Sequence, residues 1–331
     1  MFRKTLVLTL LIALLIGCAP APSSEGTLPT TPAVDSAPTE VAATEAPTDE
    51  AAALTFTDGL GREVTLAAPA QRIVTLAPSL TEFVFAVGAG EQLVGRDELS
   101  DYPAEAADVA SIGSTFGAVN SEAILALEPD LVLAAEINTP EQVQELESLG
   151  LTVYYLSNPL TYDELYEQVN LFGQFTGHEE EAAALAESLA ARVEAVESAV
   201  ATVTEKPTVF YEIDGTDPAK PWTTGPGTFM DTMISMAGGV NIGGVLSDSF
   251  AQISVEEIAA QDPNIILLGD TLYGVTIESI AERAGWADLT AVKEGRIFAF
   301  DDNLASRPSP RLVDGLEELL KVLHPELVVS Q

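Results

Sequence analysis

The stretch EEEAAALAESLAARVEAVESAVATV, Glu179 to Val203, contains neither Pro nor Gly. Ala, Glu and Leu dominate it. Leu185, Leu189, Val193 and Val196 recur at helical spacing, so one face is apolar. As one helix it spans about 37 Å, too long for a connection inside a small sheet domain. A single rod bridging two lobes fits better. Such a rod allows only a small hinge motion, unlike flexible crossing strands.

On both sides of the rod the chain alternates short strands and helices. Before it, Phe56, the turn Asp58-Gly59-Leu60-Gly61 and Val64–Leu66 read as a hairpin. Strands are expected at 72–76, 93–95, 131–134 and 153–156, and helices at 121–127, 140–148 and 161–175. Ser79 and Glu82 form a capping-box pattern, with Ser79 as N-cap of a helix running to Val87. After the rod, strands are expected at 208–213, 265–268 and 296–300, and helices at 228–237, 254–260, 277–284 and 310–323. This βα pattern predicts an α/β protein with two mostly parallel sheets. The implied organisation is a segment 1–18, a linker 19–53, an N-terminal lobe 54–177, a linking helix 178–203 and a C-terminal lobe 204–331.

The chain also repeats itself once, at an offset of 134 residues. Glu122 to Leu133 (EAILALEPDLVL) and Glu256 to Leu267 (EEIAAQDPNIIL) each read as a short helix, a Pro turn and a buried strand. Glu122 and Glu256 take the same place in the first turn. There a carboxylate complements the helix dipole, worth about 0.3–1 kcal/mol. The same pair would also give each lobe one acidic docking point. Ser254 with Glu257 forms a capping box beside the second.

At the N-terminus, Arg3 and Lys4 precede an apolar run from Leu6 to Ile16, too short to cross a bilayer comfortably. It ends in Leu15-Ile16-Gly17-Cys18, which matches a bacterial lipobox and makes Cys18 the expected lipidation site. Cys18 is the only cysteine, so no intrachain disulfide framework exists. Residues 19–53 are rich in Pro, Thr, Ser, Ala and Glu and poor in large apolar residues, which predicts a flexible spacer. Of the 14 basic and 51 acidic residues, 12 and 45 fall in 54–331, a net of −33. Nucleic acid is not a partner for such a surface.

Ordered along the chain, Arg72-Ile-Val-Thr-Leu-Ala-Pro-Ser79-Leu-Thr-Glu82, Ser100-Asp101-Tyr102-Pro103, the first repeat copy, Thr224-Gly225 with Gly238-Gly239-Val-Asn241, and Arg307-Pro-Ser-Pro310-Arg311 resemble the periplasmic cobalamin- and siderophore-binding family of ABC importers. The resemblance covers nearly all of 56–327. It implies two lobes joined by a long helix, with ligand in the cleft between them. It further implies that Glu122 and Glu256 dock on arginines of a permease dimer that works with its ATPase. The protein is then expected to be a monomer outside the cytoplasm, lipid-anchored to the membrane, with no cofactor of its own.

The expected ligand is cobalamin or a related corrinoid. A corrinoid presents a flat apolar face and an amide rim, which call for aromatic walls and a few polar anchors. By resemblance, Phe116, Trp222 and Phe250 supply the walls, Trp222 from a Pro- and Gly-rich loop. Arg307 is a polar anchor, with Asp302 or Asn303 beside it. Leu99 and Ala135 stand where corrinoid binders tend to carry aromatic residues. The alternative ligand is a ferric siderophore, which favours cations such as Arg96, Arg307 and Arg311, or less readily haem, for which Tyr102, Tyr211 and Tyr273 are the available axial ligands.

Other classes fit less well. The two histidines, His178 and His324, have no ligand-spaced partner for a bare metal. A hydrolase is the remote alternative. Ser79 at a strand-to-helix turn mimics a nucleophile, but no Gly-x-Ser-x-Gly elbow, P-loop or zincin motif is present and no histidine accompanies it.

Overall fold

The structure is a computed structural model that describes residues 53–327. The segment 1–18 with Cys18, and the linker up to residue 52, lie outside the described residues. A short hairpin, β1 (Leu54–Thr57) with β2 (Glu63–Leu66), opens the fold. The N-terminal lobe is then built on β3 (Ile73–Thr75), β4 (Leu93–Arg96), β5 (Leu131–Ala135) and β6 (Val153–Leu156). They form one parallel sheet in the order β4-β3-β5-β6. Its helices are α1 (Pro78–Ala86), α2 (Ser121–Ala126), α3 (Pro140–Ser148) and α4 (Tyr162–Thr176).

Gly177, at φ 76°, ends α4 in the left-handed conformation that a side chain resists, and the chain turns directly into α5 (Glu179–Val200). The rod is unbroken and ends three residues earlier than its composition suggested. Leu189, Val193 and Val196 of α5 are buried. They lie in one apolar cluster with Phe83 and Phe172 of the first lobe and Met233, Leu316 and Leu319 of the second.

The second lobe carries β7 (Thr208–Asp214), β8 (Trp222–Thr224), β9 (Val240–Asn241), β10 (Phe250–Gln252), β11 (Ile265–Leu268) and β12 (Ile297–Ala299). The order is β10-β8-β7-β11-β12, with β9 also on β7. β7, β11 and β12 are parallel, while β8 and β10 add an antiparallel flank. Its helices are α6 (Phe229–Met236), α7 (Val255–Gln261), the one-turn α8 (Ile277–Ile280), α9 (Thr290–Lys293) and α10 (Asn303–Ser306), and α11 (Leu312–Leu323).

Both sheets are covered on two faces, which is why their strands read as apolar runs rather than alternations. Leu131 and Leu133 face the shared core and Val132 and Ala134 the outer layer of the first lobe. Ile265 and Leu267 do the same against Ile266 and Leu268 in the second.

The 134-residue repeat is structural down to the backbone. α2 leads to β5 and α7 leads to β11. Glu128 (φ 46°) and Asp262 (φ 44°), one repeat apart, are the non-glycine residues at positive φ among those described. Asp130 accepts the amides of Gln71 and Arg72 (2.8 and 3.0 Å), and Asn264 accepts the amide of Thr208 (2.9 Å). Each thus ties the repeat to the start of the neighbouring strand.

Two expectations need correction. Ser79 is not an N-cap: Ala77 holds that position, Pro78 starts the helix, and Ser79 is buried in the first turn. Glu82 does not fold back to close a capping box, because its carboxylate reaches into the other lobe. Trp222 does not lie in a loop but on the antiparallel strand β8.

Candidate ligand-binding cleft

Parallel strands of both lobes end at a common gap, the place where open α/β sheets hold ligands. A cavity of about 370 Å³ occupies it. Glu136, just after β5, and Asn158 to Leu160, after β6, supply the first lobe's wall. The second lobe supplies Tyr211 and Ile213 of β7, Thr224, Thr228, Phe229, Phe250, Asp302, Ser306 and Pro308.

Of the residues singled out in the sequence, Phe250 lies in this wall. It pairs with Thr224 across β10 and β8, and Gln252 pairs with Trp222. Trp222 and Phe250 therefore share a sheet face as diagonal neighbours. Trp222 is half-exposed and stands beside the cavity rather than in its wall. Phe116 is exposed on the long loop after β4 and is outside the wall. Asn303 donates its amide to Asp301 (2.9 Å), and its neighbour Asp302 is the one that faces the cavity. Asn241 and Gly225 are part of the frame beneath. Asn241 donates to the Thr224 carbonyl at 3.0 Å, and a side chain at Gly225 would meet the Asp248 carbonyl at 2.1 Å.

Arg307 lies in a bridge between the lobes. Glu82 on α1, nearly buried, accepts from Ser309 Oγ (2.6 Å), Arg307 Nη1 (3.2 Å) and Arg311 Nη1 (3.2 Å). Arg307 also pairs with Asp101 (2.6 Å), and Arg311 lies 3.9 Å over the Tyr102 ring. Burial raises the pKa of Glu82, against the lowering effect of Ser309 and both arginines. A second clasp lies at Tyr162, whose hydroxyl donates to the Leu312 carbonyl (3.2 Å) and whose ring meets Phe229 edge-on.

Glu136 was not singled out in the sequence, Asp302 was named there only as an alternative to Asn303, and Tyr211 only as an axial ligand for haem. Their signal was position: each lies at or near the C-terminal end of a parallel strand. The Tyr211 hydroxyl donates to Asp302, and burial, reinforced by Asp302 and its acidic neighbours, drives its pKa far above the ordinary tyrosine value. Of the other tyrosines considered as axial ligands, Tyr102 carries Arg311 over one ring face but is otherwise exposed, and Tyr273 is open to solvent.

Glu122 and Glu256 occupy the second position of α2 and α7, exposed and without an ion-pair partner among the described residues. Ser79 has no histidine partner among the described residues, and no cluster of three or more His, Cys, Asp or Glu there can hold a metal.

Two α/β lobes on one helix, with a cavity at their facing strand ends, define the class of solute-binding proteins. The chain belongs to the periplasmic binding protein family, whose profile matches residues 73–304. It is 31% identical over 278 residues to the uncharacterized ABC transporter substrate-binding lipoprotein YvrC of Bacillus subtilis, covering 82% of this chain and 86% of that one. It is 30% identical over 261 residues to the vitamin B12-binding protein of Vibrio cholerae, covering 77% and 90%. Among solved structures, the apo periplasmic heme-binding protein RhuT from Roseiflexus superposes with a TM-score of 0.70 at 28% identity, over 78% of this chain and 99% of that one. The protein is thus a binding component of an ABC importer and not an enzyme.

Proposed function

We propose that this protein captures cobalamin or a related corrinoid in its cleft and delivers it to the permease dimer of an ABC importer, from an outer membrane face to which Cys18 anchors it. One observation carries the reading. The cavity wall carries an exposed large apolar side chain from each lobe, Leu160 on one and Phe250 on the other, and the exposed Trp222 lies diagonal to Phe250 on the same sheet face. Apolar groups gathered in this way on a soluble surface mark a binding site. They suit a broad, flat, apolar face, and the hydroxyl and carboxylate groups between them suit its amide rim. The likeness to a vitamin B12-binding protein supports the same ligand.

A ferric siderophore, or haem, is the second reading. The likeness to a heme-binding structure favours it, with the solvent-exposed Tyr273, in a neighbouring cavity that also holds Ile213, as the free axial ligand. A titration of cobalamin, cobinamide, ferric siderophores and haem separates the two. The chain has two tryptophans, Trp222 exposed and Trp286 fully buried, so the part of the fluorescence quenching that Trp222→Phe removes reports on Trp222. Saturable corrinoid binding, weakened about tenfold by Phe250→Ala, is expected. Tighter binding of haem or a siderophore than of any corrinoid would replace the first reading with the second.

Glu122 and Glu256 are the docking points. Reversal of both to Lys should leave calorimetric affinity for ligand intact and abolish stimulation of the permease's ATPase. Undiminished stimulation would remove them from the interface.

A further inference from the structure

Resting on the corrinoid reading, we infer that Glu136 and Asp302 make the cleft a charge filter, which favours a cationic or neutral chelate and rejects an anionic one. The two carboxylates line the same cavity from opposite lobes. Both are held in place. Glu136 accepts the backbone amide of Asn158 at 3.1 Å and its side-chain amide at 3.0 Å. Asp302 accepts the Tyr211 hydroxyl. Tyr211 keeps its proton at any physiological pH, so it serves Asp302 as a donor and adds no charge of its own.

Nothing nearby cancels them. Among the described residues, no Lys, Arg or His lines the cavity. Of the cations near Asp302 in sequence, Arg307 is engaged with Glu82 and Asp101 and Arg311 with Glu82 and Asp301, while Arg296 lies at the opposite end of β12 from Asp302. The field inside the gap is therefore negative, and walls of protein screen it less than bulk water does.

Corrinoids respond to such a field in graded steps. Cobalt and macrocycle together carry positive charge, offset by axial anions and, in cobalamin, by the nucleotide phosphate. Aquacyanocobinamide lacks the phosphate and is a cation. Cyanocobalamin is neutral. Its monocarboxylate, with one side-chain amide hydrolysed, is an anion. Tricatecholate ferric siderophores and haem, with its propionates, are anions too. A unit charge about 6 Å from a fixed carboxylate in a partly dry cleft changes affinity by about tenfold or more.

The test is calorimetry of the whole protein with these three corrinoids at low and high salt. The cation should bind about tenfold more tightly than the anion, with the neutral compound between them, and salt should narrow the spread. In Glu136→Gln and Asp302→Asn the ratio of anion to cation dissociation constants should fall toward one. The wild-type ranking tests the filter even where a variant folds poorly. Corrinoids that bind in no charge order, or a ratio the variants leave unchanged, would overturn the filter and leave the corrinoid reading standing. A tricatecholate ferric siderophore or haem bound more tightly than every corrinoid would overturn both.

Discussion

Glu128 and Asp262 hold equivalent left-handed conformations one repeat apart, yet their side chains differ in consequence. Each precedes a proline in the short connection from helix to strand, residues 127–130 in one copy and 262–264 in the other. A residue with a Cβ adopts this conformation at a cost of about 1 kcal/mol, which glycine avoids. Asp262 recovers the cost through its carboxylate, which accepts the amide and hydroxyl of Thr290 at 2.7 Å each and so starts α9. Glu128 is exposed and its side chain makes no hydrogen bond among the described residues. Glu128→Gly should therefore raise stability by about 0.5–1 kcal/mol in urea unfolding, whereas Asp262→Gly should lower it. Equal effects at the two sites would mean that the Thr290 bonds contribute nothing.

Among the elements, α5 decides the behaviour of both lobes. Its charged face meets solvent, and Arg192 on that side bonds to Glu317 (2.8 Å) and Asp314 (2.6 Å) of α11. These groups are about a third or more exposed, so the pairs contribute little beyond orientation. The apolar stripe is what holds. Leu189 is 3% exposed in a cluster that spans both lobes, and it borders a groove of about 290 Å³ shared with Phe85 and Pro310. Leu189→Ala should cost about 2–3 kcal/mol, at the lower end for a core leucine because the groove lets neighbours relax. Unfolding should remain a single transition, since no lobe owns that cluster alone. Two transitions in the variant would show that the lobes are held separately. This stripe was legible in the sequence because a helix between two lobes needs a period and a length, and both survive in a single chain. β5, β6, β7 and β11 were legible for a related reason: burial on two faces leaves an uninterrupted apolar run. β8 and β10 were not. Three residues apiece carry no period, and what makes Trp222 and Phe250 strand residues is pairing with distant backbone, Trp222 with Asp214 and Gln252 and Phe250 with Thr224. Glu136 was hidden likewise, because it comes to line one cavity with Asp302 only after both sheets have formed.

At the scale of the molecule, the lobes are joined by the rod, by the shared core and by two polar clasps, and of these only the Glu82 bridge carries charge that pH can alter. Its carboxylate is almost wholly buried and its pKa is raised above the ordinary 4.5, burial outweighing Ser309, Arg311 and Arg307. The folded protein thus holds this proton more firmly than the unfolded chain does. Its contribution to stability is full below the ordinary value and is lost as pH rises through the raised one. Other carboxylates act in the opposite sense; Glu317 beside Arg192 is lowered, and protects only while ionised. The bridge must be isolated by comparison with Glu82→Gln, which keeps the shape and cannot ionise. Below pH 4.5 the stability difference between the two proteins should be constant. Above it the wild type should lose ground to the variant, and urea midpoints across that range measure the change. A wild type that gains on the variant as pH rises would mean that Arg307 and Arg311 outweigh burial, and that ionised Glu82 is itself the bond that keeps the lobes together.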